Sequence, residues 1–572
     1  MPQQLRFQFP STSQLKHFRA ILSKKEKFFL YLAIFILLTS LITWGVSYYL
    51  SSTQKVPTIG GEYTEGILGQ PLYINPIISQ SNEVDSALCQ LIFSSLLSYN
   101  NEGNLVNDLA QDFEISEDGK RYTFHLKESV KWHDKTDLTA QDVIFTVALI
   151  QNQSFNKSLR GDWQDIKASA PDQRTVVFEL PKPYAPFPNK ATFGILPRHI
   201  FEQIPNDKFL LSDFNLKPVG SGPFQYSEFK QDSENNIVTY QLLANRDYFG
   251  DKPFLEKIAF NFYQDEDSLF NAYEKKEING FGVLSYGKVD ALKQRKDTDI
   301  HTINTSRYFA IFLNQTKSVP LANKDVRLAL QHAINRDAIV EEVFSGFASK
   351  NHSPLLVSFG ELSPQETHGI REYNPSEAER ILEEAGWKKE GDGIRKKDDV
   401  TLEFSLITTK WADLVKTAEI VKSQLEQIGV KVNVTNIEFS DIQQNFIKPR
   451  EYQSILFGQE YFGNDPDPYY FWHSSGKKDP GFNIAVYDNE EVDNLLQEAR
   501  ETRDDGQRKE KYLEFEQKIN DDAPAIFLYS PMYVHVTNKK IKGLETQAVV
   551  DPSYRFENTN HWFIKTTRVK KD

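Results

Sequence analysis

At 572 residues the chain is longer than one hydrophobic core usually organises, so at least two lobes are expected. Its 40% hydrophobic and 25% charged residues give a globular balance, which excludes a chain that is disordered or membrane-embedded along its whole length. A single cysteine, Cys89, excludes a disulfide framework and a thiolate metal centre, and the apolar run around it (Ala87-Leu88-Cys89-Gln90-Leu91) predicts a buried thiol.

The chain opens with Arg6, Lys16, Arg19, Lys24, Lys25 and Lys27 against Glu26 alone, followed by an uncharged run from Phe28 to Leu50. As a helix this run spans roughly 34 Å, enough for a bilayer core of about 30 Å. Trp44, Tyr48 and Tyr49 stand near its outer end, where interfacial aromatics belong. A cleavable signal peptide is the competing reading. It calls for a small-x-small site, whereas the exit reads Ser47-Tyr48-Tyr49-Leu50. The charge bias places residues 1–27 in the cytoplasm, 28–50 in the membrane as an anchor, and the remainder outside, starting with a short polar stalk at 51–58. Residues 1–57 carry seven basic groups and one acidic, which leaves −19 of the net −13 on the rest. An acidic body argues against a nucleic-acid partner and suits solubility.

Beyond the stalk, strands and helices alternate. Arg121–Leu126 and Thr175–Leu180 read as strands by period-two alternation. A helix opens at 138–143 with Thr139 as N-cap, and another at Asn374-Pro375-Ser376-Glu377, with Ile381, Leu382 and Ala385 on its apolar face and Gly386 ending it. A strand at 402–407, a helix over about 411–428 and a strand at 430–434 form a βαβ unit. The fold class is α/β.

Residues 110–146 carry a Ser116-Glu-Asp-Gly119 turn, a Tyr122-Thr-Phe124 strand, Val130-Lys-Trp-His-Asp134 and Leu138-Thr-Ala-Gln-Asp-Val143. In this order and spacing they resemble the signature of solute-binding protein family 5, the peptide and nickel binders of ABC importers. The same family's features are echoed by Leu72-Tyr-Ile-Asn-Pro76, Gly220-Ser-Gly-Pro-Phe224, the region from Asn314 to Arg336, Tyr373–Ala378 with Ala385-Gly386-Trp387, Asp465-Pro-Asp-Pro468 and Asn489–Leu496. Asp325 and Arg327 are expected to cap and brace a helix. His125 and His133 fall inside the signature and are expected to be structural.

The resemblance implies a two-lobed fold of the periplasmic-binding-protein type, closing on its ligand at a hinge. Lobe I takes 58–85, 215–305 and 527–572; a subdomain of it takes 86–214; lobe II takes 306–526. It implies capture of a peptide or similar small solute outside the cell membrane and delivery to an ABC permease with its ATPase, with no cofactor and no catalysis. A tethered sensor or chaperone-like binder without transport, and a carrier of metal chelates or other small solutes, are the alternatives. No Gly-x-Ser-x-Gly elbow, His-Glu-x-x-His or phosphate loop occurs.

In peptide-binding relatives the ligand pairs with extended segments on both sides of the cleft. The matching positions are Gln80, Ser81 and Asn82 on one side, and Phe457 to Phe462 on the other, including Gly458, Glu460 and Tyr461, with Asp465 just beyond. The sequence departs from the family at Phe462, where such relatives carry an aspartate that meets the ligand's ammonium. Glu460 is the nearest anion, two residues earlier and on the same face of an extended strand. Trp411, Tyr461 and Phe462 each either offer an apolar or stacking surface or pack into the core.

Overall fold

In a computed structural model of the chain, which describes residues 21–79, 82–153, 157–283, 285–356, 369–391, 393–461, 463 and 465–571, the apolar N-terminal run is one unbroken helix, Lys24–Ser52. Ser23 and Glu26 form a capping box at its start, and none of its side chains is buried. At 29 residues it is about 44 Å long.

The chain divides into two compact units, Met1–Thr58 with Lys565–Asp572, and Ile59–Ile564. In the first, the segment expected as a polar stalk is ordered. Ser51 and Ser52 finish the helix, and Thr53–Pro57 is a strand paired antiparallel with Thr566–Lys570. The sequence Thr-Gln-Lys-Val-Pro shows no alternation that marks a strand; its partner comes from the far end of the chain.

The second unit holds three principal sheets. The largest has eight strands in the order Ala548–Val549, Thr298–Thr305, Tyr533–Asn538, Gly280–Val283, Glu62–Leu68, Lys257–Tyr263, Ile237–Ala244 and Phe224–Gln231. A six-stranded sheet runs Ala348–Lys350, Ala525–Pro531, Arg307–Leu313, Ser454–Glu460, Glu403–Thr409 and Lys431–Ile437. A third, four-stranded sheet contains both strands read from alternation, Arg121–Leu126 beside Thr175–Glu179. The predicted βαβ unit is present as Glu403–Thr409, the helix Ala412–Gln427 and Lys431–Ile437, with the strands parallel.

The chain passes between the two large sheets at two neighbouring points, Ser306 and Met532. There Thr305 Oγ1 donates to the Pro531 carbonyl (2.8 Å), and buried Ser306 Oγ donates to the Val550 carbonyl (2.8 Å). The strand Ala525–Pro531 belongs to the six-stranded sheet, so the second passage lies at Met532, beyond residue 527.

Several family-like motifs are explained by packing. Neutral His133 accepts the Gly220 N–H at Nδ1 (3.2 Å) and donates from Nε2 to the Gly222 carbonyl (3.0 Å), and burial pushes its pKa down to about 4. The Gly220–Pro223 turn lies so close to the end of the helix Glu83–Ile92 that a Cβ on Gly220 would meet the Ile92 carbonyl oxygen at 1.9 Å. Asp85 accepts from the Leu72 and Tyr73 N–H groups and fixes the Leu72–Pro76 segment. Burial holds Cys89 as the thiol, with its pKa raised. Thr139 is the N-cap of its helix as read, and the helix expected to start at Asn374-Pro375 does so, with Asn374 as its N-cap. Asp325 does not: Asn323 is the N-cap, accepting from the Asp325 and Val326 N–H groups, because its side chain stands just before the first turn. Arg327 does brace, donating from its buried guanidinium to the carbonyls of Leu321, Ala322, Asp522 and Ala523.

Candidate functional site

Three strands of the six-stranded sheet, Glu403–Thr409, Lys431–Ile437 and Ser454–Glu460, run parallel and end on one side. In open α/β sheets that side, beyond the carboxyl ends, is where ligands gather. Trp411 follows the first strand, Phe439 follows the second, and Phe457 lies within the third. Their rings form a continuous stack: Trp411 on Phe439 at 5.4 Å and 10°, Phe439 on Phe457 at 6.3 Å and 13°. Trp411 is 53% exposed and Phe439 45%, an unusual exposure for two stacked rings of this size. The sequence reading named Trp411 and missed Phe439. The signal that finds Phe439 is its position just past a parallel strand.

Glu460 ends the third strand opposite Arg307, with its carboxylate 2.9 Å from the guanidinium. Burial raises the Glu460 pKa, and Arg307 opposes that rise. Both side chains keep roughly a third or more of their surface in solvent (33% and 43%), so the pair is weak enough to open. An ammonium reaching Glu460 competes with Arg307, a partner that strand alternation did not disclose.

The other named positions separate into packing and capping roles. A Cβ on Gly458 would meet the Phe309 ring at 2.8 Å, so the glycine makes room for that ring, which stacks on Tyr529. Of the two roles open to Tyr461, a stacking surface or core packing, the structure shows packing: it is 3% exposed, with its hydroxyl donating to the Pro354 carbonyl and its ring against Tyr308 and Phe471. Asn82 caps the helix Glu83–Ile92 by accepting the Val84 N–H (3.0 Å) and donates to the Gln70 carbonyl (3.3 Å). Gln80, Ser81 and Phe462 lie outside the described residues.

The Asp465–Pro468 motif is a junction. Buried Asp465 accepts from the Tyr512 hydroxyl (2.9 Å) and the Asp467 N–H (3.0 Å) and sits 3.2 Å from Arg508. Burial pushes its pKa up, with Arg508 working against it. Asp467 forms a two-pronged pair with Arg500, both contacts at 2.8 Å, and accepts the Tyr184 hydroxyl at 2.9 Å. The Arg500 guanidinium lies 3.7 Å over the Tyr469 ring and 4.5 Å over Tyr470, while the Ala185 N–H donates to the Arg500 carbonyl. Asp162 receives both Lys190 (2.6 Å) and the Tyr470 hydroxyl (2.9 Å). These contacts enclose a small recess between Tyr184, Pro186, Asn189 and Lys190 on one wall and Tyr461, Asp465, Pro466, Asp467, Tyr470 and Phe471 on the other. Among the described residues no group of three or more His, Cys, Asp or Glu is placed to hold a metal ion.

The model for bacterial extracellular solute-binding proteins, family 5, matches residues 104–483. The oligopeptide-binding protein AppA of Bacillus subtilis is 30% identical over 522 residues, covering 89% of this chain and 92% of that protein. Its structure in complex with a nonapeptide superposes with a TM-score of 0.68 at 27% identity, over 89% of this chain and all of that one. The ABC transporter substrate-binding protein CtaP of Listeria monocytogenes gives a TM-score of 0.75 at 26% identity, over 89% and 100% of the two chains. NikZ of Campylobacter jejuni, in complex with Ni(L-His), gives 0.69 at 26% identity, over 88% and 99%.

Proposed function

The chain belongs to family 5 of the bacterial extracellular solute-binding proteins, and we propose that it captures peptides between two lobes and hands them to the permease and ATPase of an ABC importer. The observation that carries this reading is the likeness to an oligopeptide-binding protein along nearly the whole of both chains. It acts by binding, without chemical conversion of its ligand. Lobe I comprises 58–85 and 215–305 with the segment after the second passage; 86–214 elaborates it; lobe II begins at 306.

The exposed stack of Trp411, Phe439 and Phe457 supplies flat apolar contact that tolerates varied side chains, which suits a binder of mixed peptides. Glu460 is the carboxylate available to a free ammonium once Arg307 yields.

The helix Lys24–Ser52 is read as an uncleaved anchor, with the N-terminal segment cytoplasmic and the body outside the cell membrane. Two features support this. The backbone at Ser47–Ser52 is helical, and its closing carbonyls are engaged, Leu50 by Arg568 and Ser52 by the Lys571 N–H. No extended small-x-small segment is offered to a peptidase.

Mass spectrometry of ligands carried through native purification tests the function. Peptides should copurify, and a peptide at 100 times its Kd should stabilise the body by about 2.7 kcal/mol while scattering records compaction. Binding without compaction refutes the closing-lobe mechanism, and a copurified non-peptide solute refutes the ligand class. Protease added to cells stripped of wall should digest the body and spare the N-terminal segment.

A further inference from the structure

The two-stranded ribbon Thr53–Pro57 with Thr566–Lys570 begins where the apolar helix stops. Leu50 is the last apolar residue of the span, and Thr53 already lies in the ribbon, roughly 5 Å further along the helix rise. The polar headgroup layer on each side of a bilayer core is about that thick or slightly more. The ribbon therefore starts within the layer occupied by lipid phosphates.

Its charge is of one sign. Within the paired strands the charged residues are Lys55, Arg568 and Lys570, with no Asp or Glu; Lys565 and Lys571 flank the second strand, and Asp572 follows Lys571. Register places Lys55 directly opposite Arg568, with Lys570 two residues along on the same face. Like charges opposite each other destabilise an antiparallel pair, and a lone two-stranded ribbon is marginal to begin with. Arg568 is partly compensated. It donates to the Leu50 carbonyl (3.5 Å), the Thr53 carbonyl (3.2 Å) and Thr53 Oγ1 (2.8 Å), at the end where the helix dipole is negative. Lys55 and Lys570 form no ion pair among the described residues and are exposed.

The basic residues at 565–571 do not contradict the orientation set by the N-terminal cations. That bias counts charges near the span in short loops, whereas these return after the whole body has been translocated.

Building on the reading of Lys24–Ser52 as an anchor, we propose that the ribbon is a docking surface for anionic lipid headgroups of the outer leaflet, with Lys55 and Lys570 taking phosphates on either side of the Arg568-capped helix end. The lipid supplies the counter-charge that the ribbon lacks, and the ribbon is stable as a pair because the membrane is there.

The full chain in lipid nanodiscs tests this by amide hydrogen exchange at 53–57 and 566–570. In discs containing phosphatidylglycerol, exchange should be slower than in phosphatidylcholine discs by about fivefold for each free basic group. The difference should vanish at about 1 M salt. The double variant K55Q/K570Q keeps Arg568 and its cap; it should show the same exchange in both lipids and no slower exchange than the original chain in phosphatidylcholine. Equal rates for the original chain in the two lipids overturn the proposal, as does a lipid difference that survives in K55Q/K570Q. Protection by a soluble polyanion in phosphatidylcholine discs, with none from phosphatidylglycerol, reassigns the ribbon to a polymer partner and also overturns it. Alkaline extraction of native membranes separates the underlying reading: release of the chain into the soluble fraction refutes the anchor, whatever the lipid comparison shows.

Discussion

Replacing Arg500 by alanine isolates the junction at the Asp-Pro-Asp-Pro motif. The side chains of Arg500 and Asp467 are 15% and 10% exposed, so the pair is nearly buried and little screened. Removing the guanidinium deletes two charge-assisted contacts of 2.8 Å and the stacking over Tyr469. It leaves Asp467 buried with, among the described residues, only the Tyr184 hydroxyl as side-chain donor. Breaking a buried pair in this way costs about 3–5 kcal/mol. The residual exposure places the expectation at the lower end, about 3 kcal/mol. Chemical denaturation of the detergent-solubilised chain, followed by tryptophan fluorescence, measures the loss. Hydrogen exchange at Ala185, whose N–H is bonded to the Arg500 carbonyl, reports whether the opening is local. Asp467→Asn and the double variant complete a cycle, with a coupling energy of about 2 kcal/mol expected. A loss below about 1 kcal/mol for Arg500→Ala, or additivity of the two single changes, refutes the argument that these charges depend on each other.

Phe439→Ala should weaken peptide binding about tenfold or more with little change in stability, since the ring is 45% exposed; calorimetry with unchanged affinity would remove the aromatic stack from the ligand surface. Glu460→Gln should lower affinity for free-amine peptides relative to N-acetylated ones, and an unchanged ratio would show that Glu460 serves only Arg307. His133 gives a pH dependence. Its folded pKa of about 4 lies below the ordinary 6.5, so the unfolded chain binds more protons between those values. The contribution is complete above pH 6.5 and lost as pH falls toward 4, to a total of about 3 kcal/mol. His133→Gln should flatten the stability profile over that window, and an unchanged slope would assign it to other groups.

Local rules were legible where one segment's own pattern decides its structure. The βαβ unit at 402–434, the Thr139 cap and the helix start at Asn374-Pro375 could be read because alternation, helix length and cap chemistry lie within a dozen residues. The two-lobed α/β plan was legible through motifs such as Trp132-His133 and Gly220–Pro223, which meet across 87 positions. Contacts that depend on distant segments were not. The Arg307–Glu460 pair is set by strand register, the Arg500–Asp467 pair by how a helix packs on a turn, and neither leaves a periodic trace. Asp325 was misread as a cap because an acidic residue in a first turn and a true cap one turn boundary earlier look alike without backbone angles. The aromatic stack fell between these cases. Phe439 looked like any other phenylalanine until its strand was known to end beside two others.

With Lys24–Ser52 taken as the proposed anchor, the ribbon also bears on shedding. Chains fastened to a membrane by a single tether are released by one cut in it. Here a cut between Thr58 and Ile59 leaves the body joined through Lys565 to Thr566–Lys570, which still grips Thr53–Pro57 through a five-pair ladder. Release then waits on that short ladder coming apart, a step whose rate a nick does not set. Two cuts, one on each strand's approach, are needed for prompt loss. A nicked chain should therefore pellet with the membrane and migrate as two fragments once denatured.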